Sequence, residues 1–167
     1  MSELLLRLFV PKGSADDPKV RTRCGLLSGI TGIVLNILLV AGKLTVGIIA
    51  GSVAIIADAI NNFSDAASSV ITLAGFKLAG QKPDKEHPFG HGRIEYVAGL
   101  IVSVLIIFMG FELAWSSIEK IITPEPAAFS YAAMGVLIAA ILVKFWMFYF
   151  NRKIAKRINS ASIAATA

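Results

Sequence analysis

Four apolar stretches, separated by short polar breaks, dominate the chain at about residues 25–50, 52–79, 94–122 and 130–150. Each is long enough to cross a bilayer, which takes ~20 residues of helix. Lipid offers the backbone no hydrogen-bond partners, so such stretches form helices. The pattern therefore predicts an all-α membrane protein with four transmembrane helices. The first stretch has Asn36 and Lys43 as its only strongly polar members. Gly51 breaks the pattern and Ser52 is placed to cap the second helix. A join this short makes the first two helices an antiparallel hairpin. The third helix stops at Thr123, Pro124, Glu125 and Pro126, because the residue before a proline disfavours helical backbone. The fourth ends on Phe145, Trp146, Phe148, Tyr149 and Phe150, read as an interfacial aromatic belt rather than a ligand cage.

Composition agrees with this reading. The chain is 56% hydrophobic and 16% charged, with mean hydropathy +0.73, whereas a soluble domain is about a quarter charged. The single cysteine, Cys24, excludes an intrachain disulfide framework and a cysteine-based zinc cluster, and reads as a small apolar filler near a helix start. The net charge of +5 comes from basic segments flanking the apolar ones, so nucleic-acid binding is not indicated. Residues 4–10 form a short apolar patch, but charged residues follow it instead of a small-residue cleavage site, and no cleavable signal peptide is expected.

The placement of the basic residues gives an orientation. Residues 1–24 are a polar leader carrying Arg7, Lys12, Lys19, Arg21 and Arg23, with a turn signal at Pro11, Lys12 and Gly13. The loop after the second stretch is bordered by Lys77, Lys82, Lys85 and Arg93, and the tail holds Arg152, Lys153, Lys156 and Arg157. The two opposite ends hold almost none apart from Lys120. Leader, middle loop and C-terminus are thus expected on the cytoplasmic side, in the plasma membrane.

Within the second stretch lie Asp58, Asn61 and Asp65, at i, i+3 and i+7 and so on one helix face. A carboxylate at a helix centre costs roughly 2.5–3.5 kcal/mol on insertion scales and is rare unless it faces a bundle interior. Asn61 and Asp65 are an i, i+4 pair whose oxygens can converge on one small cation. Ser64, Ser68, Ser69 and Thr72 are read as residues of helix packing only. A second constellation occupies the middle loop. Both histidines of the chain, His87 and His91, lie there, with Asp84 before them. Imidazole and carboxylate ligands suit zinc and its first-row neighbours, and Pro88 and Gly90 let the backbone turn both rings toward one point. An ordinary polar loop is the competing reading.

At these residues the chain resembles the cation diffusion facilitators, proton-coupled exporters of divalent metals. The resemblance rests on the run Gly51 to Ala59, on Asn61, Asn62, Phe63, Ser64 and Asp65, and on the loop His87-Pro88-Phe89-Gly90-His91-Gly92-Arg93-Ile94-Glu95. It covers about residues 21–167. It implies part of a six-helix fold, with residues 25–167 as the efflux membrane domain. It maps half of an intramembrane metal site onto Asn61 and Asp65, and a cytoplasmic loop site onto Asp84, His87 and His91. Arg93 takes the place of a basic residue that pairs with an acidic one on the sixth helix. The resemblance further implies lipid, divalent metal ions and protons as partners, a homodimer in full-length members, and no bound cofactor besides the transported ion.

The last residues, from Ser160 onward, resemble the opening of the fifth helix just before its ligand pair. The remaining ligands, the sixth helix and a soluble domain are expected to lie outside this sequence, and this chain alone is not expected to export metal. Asp65 is then expected to lack a cationic partner, with the polar stripe covered by self-association or left lining a wet cleft. An oxygen-rich pair such as Asn61 and Asp65 favours harder ions, placing manganese ahead of zinc, iron and cobalt. The alternative is a structural or regulatory four-helix membrane subunit. An enzyme is not indicated, since the chain shows no nucleophile–base pair and no phosphate-binding glycine loop.

Overall fold

The computed structural model describes residues 9–10, 13–14, 17–123 and 131–167, with the side chains of residues 132 and 133 outside that description. Among the described residues every regular element is a helix: α1 (Pro18–Ile49), α2 (Val53–Ala79), α3 (Ile94–Ile122), α4 (Tyr131–Ile158) and the short α5 (Ala161–Ala165). The apolar patch at residues 4–10 and the expected stop at residues 124–126 fall wholly or largely outside them.

Among the described residues, three helices are long and apolar enough to cross a membrane on their own: Pro18–Ile49, Ile94–Ile122 and the Met134–Ile158 part of α4. The fourth, α2, carries the polar stripe. Its 27 residues still give ~40 Å of helix at 1.5 Å per residue, and it packs along α1 as its hairpin partner. The protein is therefore an all-α membrane protein.

Local chemistry explains where the helices begin and end. α1 starts at Pro18, earlier than the apolar pattern predicts, because Asp17 caps it: its carboxylate accepts from the Lys19 N–H at 2.9 Å, with Pro18 at the first helical position. Lys19, Arg21 and Arg23 are thus helical. α1 ends in a Schellman motif, with Gly51 at φ 61°. Its N–H reaches Ile48 O at 3.2 Å and that of Ser52 reaches Gly47 O at 2.9 Å. Ser52 occupies the cap position of α2, but its hydroxyl makes no capping bond. α4 runs past residue 150 to Ile158, because Phe150, Ile154 and Ile158 continue an apolar i, i+4 row that packs. Asn159, at φ 47°, then closes it with a second Schellman bond, Ser160 N–H to Ala155 O at 3.0 Å.

The packed core gathers at the basic end of the bundle. Val20, Cys24, Phe76, Phe150, Ile154, Ile158 and Ile163 are all buried there. Cys24 is a core filler, as its position suggested. Phe150 is not a belt residue: it is 1% exposed and stacks on Trp146, ring centroids 5.1 Å apart, because α5 folds back over it and completes the core. Phe145 and Tyr149 are exposed, Phe145 at the wall of a cavity between the helices. In α3 the buried residues Glu95, Ala98, Gly99 and Val102 all lie in its first turns. Beyond them Val104, Ile107, Phe108, Phe111 and Trp115 are exposed, a surface that suits lipid.

Candidate metal site and its surroundings

Asp58, Asn61 and Asp65 occupy one face of α2, and all three line a cavity of about 530 Å³ between α1, α2 and α4. Lys43 of α1, Asn62 of α2, and Ile141, Lys144 and Phe148 of α4 complete much of its wall. A second cavity, of about 260 Å³, lies toward the basic end and is lined by Asn36, Ser68, Ser69, Met147 and Thr166. Asp65, Lys144 and Phe148 line both. The stripe lines a cleft in two compartments that share Asp65.

Asp65 does not lack a cationic partner. The Lys144 ammonium donates to Asp65 Oδ2 at 2.6 Å and to Asn36 Oδ1 at 2.8 Å. Helices α1, α2 and α4 are thereby joined through one ammonium group. The expectation failed because Lys144 stands in the fourth apolar stretch, and only the packing of α4 on α1 and α2 brings it to the site. Asp58 has a cation as well. Lys43 Nζ lies 2.7 Å from Asp58 Oδ2, and the lysine side chain is only 5% exposed. Each carboxylate of the stripe thus faces an ammonium from a neighbouring helix, as the cost of a lone charge in lipid demands.

Three of the hydroxyls on α2 bond within the helix, while Ser68 and Ser69 also line the smaller cavity. Ser69 donates to Asp65 O and Thr72 to Ser68 O, each at 3.0 Å, and Ser64 to Ile60 O at 3.4 Å. These are bonds back to the preceding helical turn. Asn62, which sequence reasoning passed over in favour of Asn61, is 3% exposed, and its Nδ2 is buried without a hydrogen-bond partner.

The loop constellation comes together. One ligand atom each from Asp84, His87 and His91 falls within 4.8 Å of the others. Asp84 Oδ1 caps the turn, accepting from the His87 N–H at 2.6 Å and the Glu86 N–H at 3.0 Å. His87 Nδ1 lies 3.3 Å from Asp84 Oδ1 and His91 Nε2 lies 3.5 Å from Oδ2. Gly90, at φ 79°, makes the turn that returns His91 to the cluster. The His91 side chain is 9% exposed and its Nδ1 has no hydrogen-bond partner. Capping by the His87 backbone N–H, aided by the two imidazoles, holds the Asp84 carboxyl below its usual range against a smaller opposing effect of desolvation. Two imidazoles and a carboxylate are a donor set that fits zinc or a first-row neighbour.

Arg93 is exposed at the N-cap of α3. The buried ion pair nearby belongs to other residues. Arg21 of α1 holds Glu95 of α3, with 2.8 Å to each carboxylate oxygen. Ser160 Oγ donates to the same carboxylate at 2.8 Å.

Residues 29–167 match the family described as the cation efflux transmembrane domain. An uncharacterized transporter of Methanocaldococcus jannaschii is 33% identical over 138 residues, covering 83% of this chain and 49% of the relative. The manganese efflux system protein MneS of Bacillus subtilis is 32% identical over 148 residues, covering 86% and 49%. Mitochondrial metal transporter 1 of Saccharomyces cerevisiae is 31% identical, covering 89% and 34%. The chain thus spans about half the length of the first two of these relatives. No solved structure matches.

Proposed function

The chain belongs to the cation efflux family, and from that premise we propose that it forms the membrane part of a divalent metal exporter in the plasma membrane, driven by exchange for protons. Residues 1–24 are its cytoplasmic segment, the last of them already the first turns of α1, and 25–167 its transport domain, with that segment, the middle loop and the C-terminal end on the cytoplasmic side.

The observation that carries this reading is the placement of Asp65. It lies within the helical bundle and lines both cavities, one toward each end of the bundle. Asn61 stands one turn away in the larger cavity. A cation reaching Asp65 from one cavity can leave by the other when the helices repack. Protons compete for the same carboxylate, because only its deprotonated form is a ligand. That competition couples metal release on one side to proton uptake there. The donors that line this region, Asp65, Asn61 and Asn36, are oxygen ligands and include no imidazole, which favours a hard ion such as manganese. The name of the Bacillus relative agrees with that choice. Asp84, His87 and His91 form a separate cytoplasmic site of softer character, suited to zinc.

The test is manganese binding to the purified protein in lipid nanodiscs, followed by the paramagnetic resonance signal of the free ion. A background with His87→Ala and His91→Ala removes the loop site. Binding is expected to disappear with Asp65→Ala and to weaken with Asn61→Ala. Binding that survives Asp65→Ala undiminished would leave the stripe with a packing role only.

A further inference from the structure

Resting on that assignment of Asp65, we propose that Lys144 is a tethered counter-cation of Asp65 that competes with the transported metal for that carboxylate and must be displaced by the incoming ion. Its ammonium sits 2.6 Å from Asp65 Oδ2, the contact a bound divalent cation would take over. The pair stands where the two cavities meet, since Asp65 and Lys144 line both. Neither side chain is sealed in the core, at 40% and 37% exposed, so an ion arriving in either cavity can reach the carboxylate.

The chemistry of displacement follows from charge and reach. Without metal, the ammonium neutralises a carboxylate that would otherwise stand alone in a membrane interior, where a lone charge is costly. A divalent ion brings twice the charge to the same oxygen and repels the ammonium. The lysine stem has four flexible methylenes, so the head group can leave without moving α4. It has an acceptor to leave toward, because Asn36 Oδ1 of α1 already accepts from the same nitrogen at 2.8 Å. Metal and lysine are therefore alternatives at Asp65, and Asn36 is the residue that keeps the displaced ammonium hydrogen-bonded. Two consequences follow. Lys144 sets a threshold that monovalent ions, with half the charge, do not overcome. It also keeps the unloaded site charge-compensated while the helices change packing.

The test again uses manganese binding in nanodiscs on the background lacking His87 and His91. Lys144→Met keeps the apolar stem and removes the charge, and is expected to tighten Asp65-dependent manganese binding about tenfold. Lys144→Arg retains a cation and is expected to stay near the parent affinity. A second readout needs no variant of Lys144: reductive methylation of its amine, followed by mass spectrometry, should accelerate when saturating manganese is added to the parent protein. If the parent binds manganese through Asp65 while Lys144→Met binds no tighter, the displacement mechanism falls and the ligand assignment stands. If neither protein shows Asp65-dependent binding, the ligand assignment falls and takes the displacement with it. Should Lys144→Met fail to insert, the methylation rate decides alone, and equal rates with and without manganese would overturn the proposal.

Discussion

Arg21, in the first turn of α1, grips Glu95, in the first turn of α3, with 2.8 Å to each of its carboxylate oxygens. The same guanidinium donates through its other terminal nitrogen to the Ile158 carbonyl at the end of α4. Ser160, which caps α5, adds a hydroxyl to Glu95. Four helices therefore converge on one ion pair at the basic end of the bundle, beside the buried apolar cluster. Main-chain groups freed where α4 gives way to α5 are satisfied by the same residues.

This pair gives the first prediction, which is asymmetric. The Glu95 side chain is 6% exposed and that of Arg21 is 23% exposed. Arg21→Ala strands a buried carboxylate and should cost about 3 kcal/mol of stability. Glu95→Gln leaves a more exposed arginine that keeps its bond to Ile158, and should cost about 1 kcal/mol. Thermal unfolding in detergent, followed by circular dichroism, should show the larger drop for Arg21→Ala. Equal drops would mean that the pair does not depend on the buried carboxylate.

The second prediction concerns how closely the helices approach. A methyl group added at Gly75 would lie 2.4 Å from Ala98 Cβ, so α2 and α3 touch at that point through small residues. Gly75→Ala must push the two helices apart and should cost about 1–3 kcal/mol. At Gly42 nothing lies within 4 Å of an added methyl. Gly42→Ala should be neutral, or stabilising by up to ~1 kcal/mol through helix propensity. The two variants differ by the same single methyl, so their melting temperatures compare packing alone.

Much of this arrangement is legible in the sequence, and the residues that escaped it share a cause. The bounds of α3 coincide with the predicted stretch because Arg93 and Thr123 frame an uninterrupted apolar run. The shared face of Asp58, Asn61 and Asp65 follows from helical periodicity alone, and one cavity collects all three. Lys144 was missed although the insertion cost that singled out Asp65 applies equally to a lysine in the fourth stretch. Periodicity reports which residues of one helix share a face. It does not report which helices meet, and Lys144 meets Asp65 across 79 residues of sequence. Arg21 and Glu95, 74 residues apart, escaped for the same reason. The family resemblance in the loop points to Arg93, which the fold leaves exposed. Asn36 and Lys43 stood out as polar members of the first stretch, but their partners are set by packing.

The third prediction is the orientation. With Cys24 replaced by alanine, Ser52→Cys marks the turn between α1 and α2, and Asp84→Cys marks the loop between α2 and α3. In intact cells a membrane-impermeant maleimide should label Ser52→Cys and leave Asp84→Cys unlabelled until the membrane is opened. Labelling of Asp84→Cys from outside would invert the map and place the histidine loop on the external face.

The fourth prediction follows from the depressed pKa of Asp84. Its main cause is the His87 backbone N–H, which donates to Oδ1 at 2.6 Å, with the imidazoles of His87 and His91 adding to it. A carboxyl whose pKa is lower in the folded loop than in the open chain favours the folded loop when ionised. That contribution is complete above the open-chain value, about 3.9. It fades as pH falls through the lower folded value, where the carboxylate takes up its proton. The turn at Asp84 should therefore stay closed at neutral pH and open only in acid below the ordinary aspartate range. Hydrogen exchange at the His87 amide, corrected for its intrinsic pH dependence, should lose protection there. Asp84→Asn keeps an acceptor oxygen without the ionisation, so its protection should be weaker and flat with pH over the same interval. A His87 amide that loses protection in Asp84→Asn at the same pH as in the parent would assign the transition to another group.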